Sequence, residues 1–216
     1  MIALTLKVLL SYLLGSLVGS LLIGRLRGGV DIRTLASGNA GATNALRTQG
    51  KSFALWVLLI DVGKGWAASC VIAQLTLAGS APAGPDPLLA WAAAACGIAV
   101  IIGHVYPLWY GFRGGKGVAT LAGVVLGLGP SLLIPMLVTW LVSAMLFGFV
   151  GLASMVATMS LPVAVAMTHM EPTAPLLTFG VCAVVLIVFT HRSNIARMQA
   201  GREPRARRLW LFGKQR

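Results

Sequence analysis

Long apolar stretches alternate with short polar segments along the chain, and this alternation predicts membrane-spanning helices. Seven apolar stretches come close to the roughly 17–25 residues that cross a bilayer core. We place them near 2–24, 53–78, 88–109, 117–129, 131–147, 152–168 and 175–190. The fourth is short, and Gly129-Pro130 predicts a turn before the fifth. The first lacks the features of a cleaved signal peptide, so we expect a retained helix.

Basic residues mark every second segment between these stretches. Arginine and lysine occur in 25–51, in the loop near 110–117 and in the tail, but not in 79–87, 129–131 or 169–174. The positive-inside rule then puts the amino terminus outside and the carboxyl terminus in the cytoplasm. The sequence therefore predicts an all-α integral membrane protein, with residues 1–216 as a single bundle of seven transmembrane helices. We expect its basic cytoplasmic tail, about 198–216, to be solvated or to touch lipid headgroups.

Composition supports this class and narrows the partners. Hydrophobic residues make up 57% of the chain and charged residues 10%, with a formal net charge of +12. In a soluble protein such a charge would suggest nucleic acid. Here the basic residues lie between apolar stretches, so we expect membrane lipid rather than nucleic acid as the partner. Cys70, Cys96 and Cys182 lie inside apolar stretches without metal-binding spacing, and no metal or cofactor is expected.

One segment is too polar for lipid and too rich in donors for an ordinary loop. We call residues 37–47, S-G-N-A-G-A-T-N-A-L-R, the polar loop. Its glycines, Gly38 and Gly41, let backbone approach a ligand closely, and Arg47 offers a planar fork that matches phosphate. Its short hydrogen-bonding side chains are Ser37, Asn39, Thr43 and Asn44. The pattern predicts an anion cradle at one membrane face, with helix capping as the alternative explanation.

A second candidate follows His104. We call residues 111–117, G-F-R-G-G-K-G, the glycine turn. Gly114, Gly115 and Gly117 with Lys116 can present NH groups and one ammonium to an anion at a helix start. Val118 stands two places after the lysine and no Walker pattern is present, so the turn does not support nucleotide binding. The alternative is a glycine-rich turn with a snorkelling lysine.

Two further groups of polar residues adjoin or enter the apolar stretches. His191 and Asn194 follow the last stretch and would share a face if helical. Positive-inside flanking explains the neighbouring arginines but not these two. Asp61 and Lys64 lie inside the second stretch, where ionisable groups indicate function by default. A structural ion pair between them is the other explanation.

Together these blocks resemble the bacterial acyl-phosphate:glycerol-3-phosphate acyltransferases, the PlsY family. The shared motifs are S-G-N-x-G-A-T-N-x-x-R at 37–47, G-H-x-x-P at 103–107, G-G-K-G at 114–117 and H-R-x-N-I-x-R at 191–197, with D-x-x-K-G at 61–65 and G-x-E at 201–203. The resemblance implies a seven-helix enzyme of the bacterial inner membrane with its active site on the cytoplasmic side. It also implies transfer of a fatty acyl group from long-chain acyl phosphate to the 1-position of glycerol 3-phosphate, without a cofactor. The products are lysophosphatidic acid, a phospholipid precursor, and phosphate, and a functional coupling to an enzyme that makes acyl phosphate is implied.

The resemblance also implies residue roles. Catalytic roles fall to Ser37, Arg47, Lys116, His191 and Asn194. Substrate-binding roles fall to Gly38, Asn39, Gly41, Thr43, Asn44, His104, Gly114, Gly115, Gly117 and Ser154, with support from Asp61, Lys64 and Glu203. The chain departs from the family where Gly151 stands in place of an expected hydroxyl residue. The sequence leaves open whether His191 or the leaving phosphate takes the proton of the acceptor hydroxyl.

A transporter or flippase of a small phosphorylated solute or lipid is the main alternative function. It would require a polar path across the membrane midplane, whereas the polar residues here cluster towards one side. A purely structural scaffold would leave the polar loop unexplained.

Overall fold

The described part of the chain is helical. The computed structural model describes residues 2–76, 88–207 and 209–213. Its α-helices are α1 Ile2–Gly15, α2 Gly19–Leu26, α3 Ala42–Gln49, α4 Lys51–Cys70, α5 Leu88–Val105, α6 Val118–Leu128, α7 Pro130–Phe147, α8 Val150–Thr168, α9 Thr173–Thr190 and α10 Arg192–Gln199. Short 3-10 turns lie at Ile32–Thr34, Ile72–Gln74 and Leu108–Tyr110. The whole of the predicted segment 79–87 lies outside the described residues.

Five of these helical segments are long and apolar enough to cross a membrane, counting the described residues only. They are Lys51–Gln74, Leu88–Tyr110, Pro130–Phe147, Val150–Thr168 and Thr173–Thr190. A bent pair, α1 and α2, adds a sixth candidate, and α6 is a shorter apolar helix of 11 residues. The all-helical membrane class is therefore confirmed. The predicted turn at Gly129-Pro130 is also confirmed, because Gly129 caps α7 and Pro130 begins it.

The first predicted span, 2–24, is a broken helix rather than a straight one. The chain bends by 48° between α1 and α2, across Ser16, Leu17 and Val18. A break in an apolar helix frees backbone groups that lipid cannot satisfy, so protein groups must take their place. Two side chains of α4, Asp61 and Lys64, do so here.

The chain packs as two compact units, residues 1–128 and 129–216. In the first unit, glycines bring helix backbones into direct contact. A methyl group at Gly65 would clash with the Thr120 carbonyl of α6, and one at Gly123 would clash with the Val62 carbonyl of α4. Small residues commonly drive such close packing in membranes, where lipid provides no hydrophobic force between helices. The α4–α6 contact thus fixes the start of α6, which directly follows the glycine turn.

The second unit consists of α7 to α10 and the tail that follows them. Most described residues of the tail are exposed, and the expectation that the tail is solvated or touches lipid headgroups stays a prediction. Ala206 donates its backbone NH to the Gly148 carbonyl at 2.7 Å, and Leu211 donates to the Met145 carbonyl at 3.0 Å. The Arg205 guanidinium lies 3.9 Å from the Trp210 ring centroid and 4.8 Å from that of Phe149. The cation–π contact with Phe149 and two backbone hydrogen bonds therefore tie the tail to the end of α7 and the turn that follows it.

Candidate active site

The polar loop is shaped from within by the amide of Asn44. Its Nδ2 donates to the carbonyls of Ile32 at 2.9 Å and Leu35 at 3.1 Å, and its Oδ1 accepts the backbone NH of Ser37 at 3.3 Å. Asn44 is only 2% exposed. The structure thus gives Asn44 the task of folding the loop, whereas the sequence pattern placed it among the substrate-binding residues.

The side chains around Asn44 are more open. Ser37, Gly38, Thr43 and Arg47 are exposed, and Asn39 and Gly41 are half-buried. Gly38 adopts a φ of +69°, a conformation that favours glycine. Gly41 occupies the cap position of α3 without a capping side chain, so capping of α3 does not explain the loop's hydroxyls and amides. The loop presents a serine, a threonine and an arginine on a backbone that Asn44 holds.

Arg33 connects the segment before the polar loop with Tyr110 and the glycine turn. Its guanidinium donates to the carbonyls of Tyr110 at 3.0 Å and Arg113 at 2.7 Å. The Asp31 carboxylate accepts hydrogen bonds from Nε and Nη2 of the same guanidinium at 2.7–3.1 Å. The hydrogen bond from Arg33 lowers the pKa of Asp31 and raises that of Arg33. Sequence reasoning missed this link, although an aspartate two residues before an arginine was visible.

The glycine turn folds back onto the end of α5. Gly114 donates its NH to the Val105 carbonyl at 3.0 Å, and Gly115 donates to the His104 carbonyl at 3.1 Å. These two NH groups thus have backbone partners at the end of α5, and their predicted contact with an anion stays a prediction. The glycines are needed for space, since a methyl group at Gly115 would clash with His104 Nε2. Gly117, with φ of +88°, ends the turn before α6, and Lys116 is half-buried.

Asp61, Lys64 and His104 form one buried cluster, each no more than 5% exposed. Lys64 Nζ lies 2.9 Å from both Asp61 Oδ1 and His104 Nδ1, and it donates to the Gly15 and Leu17 carbonyls at 3.0 Å. Asp61 Oδ1 also accepts the backbone NH of Gly19 at 3.1 Å. The sequence pattern placed His104 with the substrate, but the structure gives it protein partners. The Asp61–Lys64 pair exists as predicted, and it serves the α1–α2 break.

In the second unit Glu203 holds two residues of α10. Asn194 Nδ2 donates to Glu203 Oε1 and Arg197 Nε donates to Oε2, each at 2.6 Å. The backbone at Gly151 lies against Asn194, because a methyl group there would lie 2.8 Å from Asn194 Nδ2 and 2.9 Å from Cγ. The glycine at this position therefore has a physical reason: Asn194 occupies the space that a side chain would need.

His191 stands at the junction of α9 and α10 and is 3% exposed. Its Nδ1 lies 2.8 Å from the Ile187 carbonyl, which can only accept a hydrogen bond. We therefore assign the Nδ1–H tautomer, which leaves the lone pair of the neutral ring on Nε2. Ser154, 4% exposed, donates to the Val150 carbonyl at 2.9 Å and accepts from Trp140 Nε1 at 3.3 Å. Sequence reasoning had not paired Trp140 with this site.

Comparison with known proteins gives one consistent result. Residues 5–201 match the model of a family described as glycerol-3-phosphate acyltransferase. The chain is 38% identical over 201 residues to the glycerol-3-phosphate acyltransferase of Burkholderia cenocepacia, covering 93% of this chain and 89% of that protein. It is 39% identical over 210 residues to the enzyme of a Synechococcus species, covering 97% and 98%.

Solved structures give the same family. The fold is similar to the crystal structure of PlsY, an integral membrane glycerol 3-phosphate acyltransferase, in its glycerol 3-phosphate form, with a TM-score of 0.81 and 33% identity over 94% of both chains. The lysophosphatidic acid form of that protein gives a TM-score of 0.80 at the same identity and coverage. This chain belongs to the glycerol-3-phosphate acyltransferase family.

Proposed function

We infer that the protein is a PlsY-type glycerol-3-phosphate acyltransferase, which transfers a fatty acyl group to the 1-position of glycerol 3-phosphate and forms lysophosphatidic acid. The observation that carries this conclusion is the match to the acyltransferase family over residues 5–201. The buried, specifically hydrogen-bonded polar residues of the shared motifs support it.

The donor we propose is a long-chain acyl phosphate, a mixed anhydride with phosphate as leaving group. The acceptor hydroxyl attacks the acyl carbon, a new ester C–O bond forms, and the bond from the acyl carbon to the phosphate oxygen breaks. Inorganic phosphate leaves. Since both substrates are anionic, the enzyme must bring together two groups that repel each other, which is a task of proximity and electrostatics. We propose that an enzyme that produces acyl phosphate supplies the donor.

In the first unit we propose that Arg47 and Lys116 supply the positive charge for the two phosphates. Arg47 is exposed at the end of the polar loop, with Ser37 and Thr43 also exposed on that loop. Lys116 is half-buried just before α6. The polar groups of Ser37, Asn39 and Thr43, and the backbone at Gly38, Gly41 and Gly117, are proposed to bind substrate.

In the second unit we propose roles for His191, Asn194 and Ser154 in binding or catalysis. The tautomer of His191 supports Nε2 as the acceptor of the hydroxyl proton, because that nitrogen bears the lone pair. The leaving phosphate is the alternative acceptor. Asn194 is held rigidly by Glu203, as expected for a residue that must orient a small polyol.

For the membrane arrangement we propose seven crossings, with the amino terminus outside and the carboxyl terminus in the cytoplasm of a bacterial inner membrane, and residues 1–216 as one enzyme domain. The five long helices, the bent pair and α6 together supply seven candidates. At about 1.5 Å per residue α6 is only about 16 Å long. We propose that this short crossing lets Lys116, just before α6, lie below the cytoplasmic surface of the membrane.

Broken helices with buried ionisable groups also occur in ion-coupled transporters, where freed backbone carbonyls bind the coupling ion. Here the carbonyls of Gly15 and Leu17 bind the ammonium of Lys64. A covalently attached cation cannot be transported, so this arrangement favours the enzyme over the transporter.

The site assignment is tested by Arg47. Replacing it with alanine removes a charge-assisted contact worth about 1.5–3 kcal/mol, so we expect kcat/KM to fall at least about tenfold. Arg47→Lys should recover only part of the loss, because an ammonium lacks the planar fork. Phosphate release by purified enzyme is the assay, and Lys51→Ala, an exposed cation four positions away, is the matched control. Near-normal kinetics of Arg47→Ala would remove Arg47 from the site.

Orientation is tested by cysteine accessibility in whole cells. An impermeant thiol reagent should label Ala83→Cys and spare Gln49→Cys and Arg205→Cys, since only the first position is proposed to face outside. Labelling of Gln49→Cys would overturn the arrangement of seven crossings.

A further inference from the structure

We propose that the buried cluster of Asp61, Lys64 and His104 is a positioning device that fixes the spacing between the polar loop and the glycine turn. The functional value of that spacing rests on the proposed function, which gives both segments a role in binding substrate. All the contacts that carry the proposal lie in the first unit.

The cluster is hydrogen-bonded to both sides of the break between α1 and α2. The carbonyls of Gly15 and Leu17, left without helical partners by the break, accept from Lys64 Nζ at 3.0 Å. On the other side of the break, Asp61 Oδ1 accepts the first NH of α2, from Gly19, at 3.1 Å. One ammonium and one carboxylate therefore hold both ends of the break, each matching the partial charge of its helix end.

Helix α2 in turn contacts the polar loop. Ser20, next to Gly19, donates its hydroxyl to the Ala40 carbonyl at 2.6 Å, and both residues are fully buried. Val18, Leu21 and Ala40 form a buried apolar cluster against which Tyr110 packs. Any rotation of α2 about the break therefore moves the backbone of the polar loop at Ala40.

The cluster also contacts the glycine turn, through His104. His104 Nδ1 lies 2.9 Å from Lys64 Nζ and 3.3 Å from Asp61 Oδ1, so the ring contacts both charged members of the cluster. Nε2 faces Gly115 so closely that a methyl group would not fit. The His104 carbonyl also accepts the Gly115 NH at 3.1 Å. The imidazole ring thus packs directly against Gly115, the residue that precedes Lys116.

A plain structural ion pair does not account for this arrangement. A buried pair seldom stabilises more than apolar residues of similar volume would, and Asp61 is one of four groups within 3.0 Å of Lys64 Nζ. The other three belong to the break and to the support of the glycine turn. The ammonium connects the two segments, which is a task that an apolar replacement could not perform.

Hydrogen–deuterium exchange of the purified protein in detergent tests the coupling directly. In Lys64→Met, exchange should rise together in residues 15–20, 37–47 and 111–117. In His104→Asn, which keeps a polar atom near Nδ1 but removes the ring beneath Gly115, exchange should rise in 111–117 while 15–20 stays protected. The control is Ser69→Ala, which removes a buried polar group of α4 outside the cluster. The Ser69 hydroxyl bonds the Gly65 carbonyl at 3.2 Å, and its loss should leave all three segments protected.

The same variants are assayed for phosphate release. For His104→Asn, KM for glycerol 3-phosphate should rise about tenfold, the loss expected for a displaced contact to a charged group, while kcat falls less. A general loss of packing would instead reduce the yield of folded protein and raise exchange throughout the first unit. If wild-type protein releases no phosphate, the proposed function fails while the exchange data still decide the coupling.

Two results would overturn the proposal. One is folded Lys64→Met protein whose glycine turn stays as protected as in wild type. The other is His104→Asn with unchanged exchange at 111–117 and unchanged KM. If Lys64→Met does not fold, His104→Asn alone decides.

Discussion

Glu203 accepts hydrogen bonds from both Asn194 and Arg197, so its removal should disturb the second unit strongly. In Glu203→Ala the donors Asn194 Nδ2 and Arg197 Nε both lose a 2.6 Å contact. The two contacts should differ in their contribution to stability, because Asn194 is 7% exposed while the Arg197 side chain is 35% exposed.

The magnitude follows from that difference. A buried hydrogen bond to a charged group contributes about 1.5–3 kcal/mol. Solvent screening reduces the partly exposed ion pair to about 0.2–1 kcal/mol. We therefore expect Glu203→Ala to lower the free energy of unfolding by about 2–4 kcal/mol. At about 2–4 °C per kcal/mol for a chain of this size, the melting temperature should fall by about 5–15 °C.

The assay is thermal unfolding in detergent, followed by size-exclusion chromatography of the surviving protein. Glu203→Gln keeps the Oε1 acceptor for Asn194 and should lose only the weaker arginine contact, so its melting temperature should lie between those of wild type and Glu203→Ala. The matched control is Glu171→Ala, because Glu171 also accepts two hydrogen bonds, from Thr173 at 2.9 and 3.0 Å, but is exposed. Equal melting temperatures for Glu203→Ala and wild type would refute the reasoning.

Three further predictions concern pH, the glycine turn and Gly151. Arg33 holds the folded pKa of Asp31 below the ordinary value of about 3.9, so the stability that ionised Asp31 contributes should be complete above about pH 5 and fade as pH falls through the folded pKa. The melting temperatures of wild type and Asp31→Asn should converge at that low pH, and a constant difference would contradict the pairing of Asp31 with Arg33. Gly115→Ala should raise KM for glycerol 3-phosphate by about tenfold through the clash with His104, whereas Gly63→Ala, whose methyl group meets open space, should not. Gly151→Ser should displace Asn194, costing about 1–3 kcal/mol by overpacking and lowering both melting temperature and kcat/KM; unchanged values would show that Asn194 moves freely.

The sequence predicted the features that depend on composition and local pattern. The apolar stretches gave the helices α4, α5, α7, α8 and α9, because a bilayer requires long runs of apolar residues. The polar loop was recognisable because lipid excludes such a concentration of hydroxyls and amides. The roles of those residues in catalysis and binding stay predictions, and the experiments above address them.

Features that depend on contacts distant in sequence were not predictable in the same way. The α1–α2 break occurs in an apolar run, and what stabilises it is Lys64, 49 residues from Gly15. His104 and Asn44 have residue types typical of ligand contacts, but their protein partners lie elsewhere in the chain or across the loop. Periodicity reports which residues are apolar, but it does not report which carbonyls a buried ammonium will meet.

The most direct test of the central claim is the product balance of the purified wild-type protein given acyl phosphate and glycerol 3-phosphate. We predict one phosphate released for each lysophosphatidic acid formed, no sustained release without glycerol 3-phosphate, and no comparable turnover when acyl-CoA replaces acyl phosphate. Equal formation of lysophosphatidic acid from acyl-CoA, or phosphate release at the same rate without the acceptor, would contradict the account.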